Sequence, residues 1–375
     1  MIRRAAPLTL TGVALTLVAF TFDAAPLFVV GIALATLGLG APACVWCSAR
    51  GTGVQRHLSA QRVLEQEPLR ATFEVRRGRL PLARWELRDP LASAPVRFPR
   101  AGRTVTITVS ARFERRGRRR LDPPSLVLGD ALGVAQIHRV GTGGSQELIV
   151  LPRTEPVRWS HSAGSGGGGQ SSPPGRTPAA SDLDGLRRYR PGTPASRIHW
   201  PALARGAGLL ERRLEPDPEI RPLIVLDARG SGPGELVDAA VRAAASLALE
   251  LARAGGCGLL LPGERRPIAI GPELAAWDGA QIRLALVQGG PLAPAPMLRH
   301  APPGPVYYVA ARALGHRPAA LRARHAHSAF VLVVAHPLAA QIPGPPRRAL
   351  FTVCGCSGFR LTGASGEVDS RSHAA

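Results

Sequence analysis

The chain has 375 residues, 45% of them apolar, and carries 47 basic against 26 acidic side chains, a formal net charge of +21. That length provides for two or three domains, each with its own core, and the apolar fraction excludes disorder as the overall class. All 47 basic residues are Arg. With Ala, Gly and Pro also abundant, a GC-rich coding bias accounts for the Arg usage without invoking function, but the surplus still attracts anionic lipid, nucleic acid or acidic protein faces.

The N-terminus is the most hydrophobic part. Ala5 to Phe22 is uncharged and mostly apolar, Asp23 interrupts it, and Pro26 to Cys47 forms a second run of 22 residues. The second run spans about 33 Å as a helix, enough for a hydrocarbon core; the first is near the lower limit. Together they predict a transmembrane helical hairpin over residues 1–50, with Gly12, Gly31, Gly38 and Gly40 permitting close helix contact. A cleaved signal peptide with Arg3-Arg4 as its basic region is the other reading. The second run argues against it, because cleavage would leave a lone anchor. Arg3 and Arg4 precede the first helix, Arg50, Arg56 and Arg62 follow the second, and the turn carries only Asp23. The positive-inside rule then predicts a two-pass protein of the inner membrane with both termini in the cytoplasm.

From Arg50 to Leu121 there are 18 Arg and 6 acidic residues. Next to a membrane span, such a segment is drawn to anionic lipid at roughly 1 kcal/mol per residue. Nucleic acid is the rival partner, but no zinc finger, helix-turn-helix or aromatic RNA-binding motif accompanies the charge, so no specific nucleic acid is expected. The five cysteines are Cys44, Cys47, Cys257, Cys354 and Cys356. An odd, sparse set builds no disulfide framework. Cys44-x-x-Cys47 has no second pair at zinc-ribbon spacing, and both residues read as small apolar positions at a helix end.

Short alternating runs follow: Leu69 to Val75, Trp85 to Arg88 and Thr104 to Phe113. Their period-two pattern and β-branched content predict a β-sandwich-like domain over residues 51–158. His57 stands alone on a basic loop and reads as solvated. Arg115 to Arg120 reads as a hairpin-like basic tip, either a solvated turn or a surface for phospholipid or an acidic partner. Residues 159–182 are Gly-, Ser- and Pro-rich and read as a linker; Gly166 to Gly169 lack the Lys-Ser/Thr of a phosphate loop.

The segment 183–220 carries the motif. It contains Leu186-Arg187-Arg188-Tyr189-Arg190-Pro191-Gly192-Thr193-Pro194, then Arg197-Ile198-His199-Trp200, Ala204-Arg205 and Glu211-Arg212-Arg213-Leu214-Glu215-Pro216. Pro191-Gly192 is a turn, and Ile198-His199-Trp200 is short and amphipathic. His199 reads as a structural or interface residue, a general base or a metal ligand; no second His, Cys or paired carboxylate lies at ligand spacing. Arg187, Arg190, Arg197 and Arg205 face possible partners in Glu211, Glu215 and Asp217, though exposed pairs of that kind contribute little.

This order and spacing resembles the bacterial family called domain of unknown function 58, whose hallmarks are a Tyr-x-Pro-Gly-Asp turn, an Arg-x-Ile-His-Trp core and a later Arg-x-Phe-Glu-Pro strand. Arg115-Arg116-Gly117 and Asp130-Ala131-Leu132-Gly133-Val134 are similar to segments that close the family's β domain, and the two leading helices also fit. The sequence departs from the pattern at Thr193, where Asp is usual, at Pro201, where Lys is common, and at Leu214, where Phe is usual. The resemblance marks Tyr189, Pro191, Gly192, Arg197, Ile198, His199, Trp200, Arg205, Glu215 and Pro216 as the motif or interface residues.

Residues 221–360 alternate strand and helix. Pro222 to Asp227 is a buried strand ending in Asp, Glu235 to Ala254 a helix stopped by Gly255-Gly256, Cys257 to Leu261 a strand and Ala280 to Val287 a helix. Val306 to Ala310, Phe330 to Ala335 and Ala349 to Val353 are further strands. The pattern predicts a doubly wound α/β sheet, and the resemblance implies a von Willebrand A-like domain. Such domains hold Mg²⁺ through Asp-x-Ser-x-Ser. Here the stretch is Asp227-Ala228-Arg229-Gly230-Ser231, a degenerate site in which Arg229 replaces the first Ser and cannot ligate a cation. Between Gly279 and Gly366 there is no Asp or Glu, so neither Mg²⁺ nor another cofactor is expected, and an Arg229–Asp227 ion pair is expected in its place. Residues 361–375 read as a disordered tail.

The fold class expected is therefore α+β and multidomain. No Gly-x-Ser-x-Gly nucleophile turn occurs. The resemblance implies a membrane-anchored, cytoplasm-facing adaptor working with an AAA+ ATPase of MoxR type. Its rivals are a hydrolase using His199 with Asp227 or Glu215, and a charge-driven module for anionic lipid or nucleic acid.

Overall fold

A computed structural model describes residues 5–78, 84–97, 102–160, 183–188, 198, 200–206, 208–214, 221–297, 304–314, 330–342 and 348–361. It is a mixed α+β protein of two units, Met1–Leu151 and Pro152–Ala375.

The first unit opens with α1 (Ala5–Thr21) and α2 (Ala25–Ala49), joined through Asp23, whose φ is +48°. Of these, α2 is long and apolar enough to cross a membrane, whereas α1 has 17 residues. The two helices pack through glycine. A Cβ at Gly12 would strike the backbone of Ala35, and one at Gly31 or Gly38 would strike Thr16 or Thr9. The descending order of these pairs makes the helices antiparallel, and small residues let the backbones meet. Gly40 takes no part: a Cβ there has nothing within 4 Å, because it lies off the stripe set by Gly31 and Gly38. Both helices carry exposed apolar side chains, including Leu10, Leu17, Phe20, Val29, Val30 and Leu39.

Ten strands follow: β1 (Gly53–Leu58), β2 (Arg62–Leu64), β3 (Leu69–Arg76), β4 (Arg84–Arg88), β5 (Val96–Arg97), β6 (Thr104–Ala111), β7 (Gly117–Leu121), β8 (Ser125–Gly129), β9 (Gln136–Val140) and β10 (Gln146–Leu151). They form three small sheets, ordered β1-β3-β6, β2-β10-β7 and β5-β4-β8-β9. The alternation of β3 buries Leu69, Ala71, Phe73 and Val75, which join Leu87, Leu126, Leu128, Leu148 and Val150 in one core. Val45 and Ala49 of α2 belong to the same core, so the helix enters the β domain without a linker.

Two arginine expectations change. Arg115 to Arg120 is no hairpin tip. Gly117 starts β7, which pairs antiparallel with β10, and the buried Glu65 carboxylate accepts the Arg116 backbone N–H at 2.9 Å. Arg56, counted with the membrane-facing charge, points inward on β1. Its guanidinium donates to Asp89 at 2.7 Å, to the carbonyls of Leu121 and Asp122 at 3.0 Å each, and to Gln146 at 2.9 Å. Each nitrogen of the buried guanidinium thereby has at least one acceptor, as such a charge requires.

The division between the units falls after Leu151, and Pro152–Trp159 belongs to the second unit. That unit holds β11 (Arg158–Trp159), β12 (Leu183–Arg188), α3 (Trp200–Ala204), β13 (Leu210–Leu214), β14 (Leu223–Asp227), α4 (Gly234–Gly255), β15 (Cys257–Leu260), β16 (Ile268–Ile270), α5 (Trp277–Leu286), β17 (Val306–Ala310), β18 (Phe330–Ala335), α6 (His336–Ala339), β19 (Phe351–Val353) and β20 (Cys356–Arg360). Its eight-stranded sheet has the order β11-β19-β20-β18-β17-β14-β15-β16. The four central strands are parallel and the outer ones antiparallel. The central strands β14, β15, β17 and β18 are buried at every position, as strands covered on both faces are. The helices are not shared evenly between the faces. Alanines of α4 and Leu284 of α5 cover the face bearing Ile224 and Leu226. Leu338 of α6, Leu314 and Leu361 lie against the face bearing Leu223 and Val225.

The α1–α2 contact gives a test. Gly38→Leu forces the helices apart at a cost of about 1–3 kcal/mol and should lower the thermal midpoint of the chain in detergent. Gly40→Leu, facing open space, should leave it unchanged.

Candidate functional site

The order of the parallel strands locates a crevice. From β14 the chain moves to β15 on one side and later to β17 on the other, so the sheet reverses direction between β14 and β17. Carboxyl ends flanking such a switch point are where open α/β sheets bind ligands. Asp227 is the last residue of β14, paired in register with Ala310, the last of β17.

The Asp227 side chain is fully buried, and its oxygens are engaged by the protein's own donors. Arg229 binds it with two parallel bonds, Nε to Oδ1 and Nη2 to Oδ2, each 2.9 Å, and adds its backbone N–H at 3.1 Å. The Tyr308 hydroxyl donates to Oδ2 at 2.7 Å. A second guanidinium, that of Arg312, stands 3.6 Å from Oδ2, and its Nε is buried without a hydrogen-bond partner. Burial alone would raise the Asp227 pKa, but the Arg229 and Tyr308 bonds outweigh it and hold the carboxyl below its usual range. In turn the Tyr308 phenol is pushed up, first by burial and then by the charge of Asp227.

The ion pair expected between Arg229 and Asp227 is present. Ser231, the other residue of the degenerate metal sequence, is exposed and takes no part in these bonds. The donor set does not fit a divalent cation: one carboxylate, already bonded on both oxygens, faces two guanidiniums. The rim is instead positive. Local backbone holds it in shape. Arg229 bridges to Gly290, the Gly290 N–H reaches the Ala228 carbonyl at 3.2 Å, and Gly290 adopts φ +150°, a conformation suited to glycine.

The motif segment is described in part. Tyr189, Pro191, Gly192, Arg197, His199, Glu215 and Pro216 lie outside the described residues, as do residues 161–182 of the linker and 362–375 of the tail. Strands β12 and β13 form a ribbon whose register sets Arg187 opposite Glu211. Ile198 is buried, whereas Trp200, at the start of α3, is 55% exposed, and Leu203 and Arg205 are exposed with it. The structure does not join these described motif residues to Asp227 by any hydrogen bond or ion pair.

Burial pushes Cys257 and Cys356 up to about 12, far from the thiolate that nucleophilic chemistry needs. Cys354-Gly355 is the turn between β19 and β20, with φ of +48° and +73°, a conformation typical of tight hairpin turns. Among the described residues, no group of three His, Cys, Asp or Glu is placed to hold a metal.

Sequence reasoning found Asp227 and Arg229 but missed Tyr308 and Arg312. Tyr307-Tyr308 reads as one more apolar pair in a buried strand, and only the strand order brings the second hydroxyl to β14. No protein-family model matches the chain, and no curated protein sequence matches it.

Asp227→Asn should cost about 3 kcal/mol, because it removes the charge that pairs with Arg229 and sets an amide N–H2 against the donors of Arg229 or Tyr308. The depressed carboxyl pKa sets the pH dependence. Its contribution is complete above the ordinary value of 3.8 and is lost as pH falls through the lower folded value. Denaturant melts of the wild type between pH 5 and pH 2, compared with Asp227→Asn, should show the acid loss shrinking in the variant.

Proposed function

We propose that the chain is a membrane-anchored interaction protein whose second unit faces the cytoplasm and engages an acidic face of a partner. Three features support the anchor. The helix α2 has the length and composition of a span, α1 packs antiparallel on it through glycines, and arginines flank the pair at Arg3, Arg4 and Arg50. With α1 and α2 both spanning, the two ends of the chain lie on one side.

The observation that carries the interaction reading is the locked Asp227. A carboxylate with both oxygens bonded to Arg229 and Tyr308 is unsuited to act as a general base or to ligate a cation. The same cluster leaves Arg312 in surplus at the carboxyl edge of the sheet. Such an edge suits a carboxylate on another protein. The exposed Trp200 of the motif segment is a second anchor of the kind that dominates interfaces. The resemblance to domain of unknown function 58 implies a von Willebrand A-like second unit and, as partner, an AAA+ ATPase of MoxR type. On this reading the work is assembly or chaperone-like, not catalysis.

A cytoplasmic reporter fused after Ala375 should be active, and a reporter that works only outside the inner membrane should be silent; the reverse result ends the topology. Pull-down of the full chain from membranes in mild detergent should enrich an ATPase. Arg312→Ala should weaken its capture about tenfold, the loss of roughly 1.4 kcal/mol. Capture that survives both Arg312→Ala and Trp200→Ala unchanged removes the proposed surface.

A further inference from the structure

The join between α2 and the β domain contains a cavity of about 270 Å³, walled by Pro42, Ala43, Val45 and Trp46 on the helix and by Ala135, Gln136 and Ile137 at the start of β9. Gln136 is the one polar side chain among these seven. The cavity's position along the helix is informative. A hydrocarbon core of about 30 Å takes about 20 helical residues. Counted from Ala25, the first residue of α2, the bilayer's edge falls within the stretch that lines the cavity. Trp46 marks the same level: the Arg50 guanidinium sits 3.4 Å over its ring, and an aromatic ring capped by an upward-reaching cation is the pairing of a membrane–water boundary.

The turn between β8 and β9 lies beside this cavity and is built to present an apolar side chain. The Asp130 carboxylate accepts the N–H groups of Leu132 at 2.9 Å, Val134 at 3.2 Å and Ala135 at 2.7 Å, and Gly133 takes a φ of +71°. Held by these bonds, Leu132 projects with 67% of its surface exposed. On β9, His138 and Arg139 are exposed beyond the apolar wall.

We propose that this cavity holds an acyl chain of a phospholipid of the cytoplasmic leaflet, with Leu132 inserted beside it and Arg139 near the headgroup phosphate. The inference rests on the membrane reading above and adds a lipid site to it. The occupant follows from position and chemistry. An apolar cavity at the depth where hydrocarbon ends is filled by the chains around it, and insertion in the same layer removes the exposed Leu132 side chain from water. A nearby cation favours anionic lipid.

The test uses the full chain reconstituted in vesicles of phosphatidylethanolamine and phosphatidylglycerol, with a fraction of the phospholipid carrying a photoactivatable diazirine on one acyl chain. After illumination, adducts are mapped by peptide mass spectrometry. The expected result is labelling within residues 42–46 and 132–137 as well as within 5–41. Ala43→Phe, at an exposed position, fills the mouth of the cavity and should abolish adducts on residues 135–137 while those on 5–41 persist. Leu132→Glu should likewise lose the label at the turn. Labelling confined to residues 5–41 in the wild type overturns the proposal and leaves the anchor intact. Efficient disulfide cross-linking of Leu132→Cys between copies also overturns it, giving the cavity to a second copy. A chain that neither floats with the vesicles nor labels anywhere in 5–41 ends the anchor reading, and the lipid site with it.

Discussion

A single helix runs from an exposed apolar stretch into a buried core, and the first unit depends on that continuity. Most of α2 presents apolar side chains outward, such as Val29, Ile32 and Leu39, while its last turn places Val45 and Ala49 among Phe73, Leu126 and Leu148 in the β core. A helix carries no free joint between such regions, because each peptide is fixed by its hydrogen bonds. The orientation of the three small sheets is therefore set by α2. The glycine contacts with α1 extend the same constraint to the chain's first helix.

Charge in this protein works by pairing as much as by display. Arg56 is the inward member of an alternating strand, and it is tolerated because four acceptors meet its donors. Asp227 shows the opposite sign of the same rule: a buried carboxylate is kept ionised by one bidentate guanidinium and one phenol. Each fixes a junction, Arg56 between β1, β4 and the β7–β8 turn, and Asp227 between β14 and β17.

How much of this was legible follows from the range of the forces involved. The boundaries of α1, α2, β3, β6 and α4 follow from local periodicity and from punctuation at Asp23 and Gly255-Gly256, so the sequence marks them closely. The Arg229–Asp227 ion pair was also legible, since the two residues lie two positions apart. Long-range placement was not. Nothing local distinguishes Arg56 from its solvated neighbours, or β7 from a basic turn, because both depend on partners some 30 to 90 residues away. Tyr308 was hidden for the same reason. The edge strand β11 was not marked, because Arg158-Trp159 is too short to carry a period.

That edge strand alters how the second unit is strung together. Trp159 packs on Phe351 with ring centroids 4.7 Å apart, Ser160 donates to the Leu350 carbonyl, Glu155 bonds to Ser246, and the Pro152 carbonyl accepts from Gln281. The residues before the glycine-rich stretch are thus stitched to the far border of the sheet, and those after it supply the central strands. The border of this sheet and its centre are therefore contributed from opposite sides of residues 161–182 in the chain.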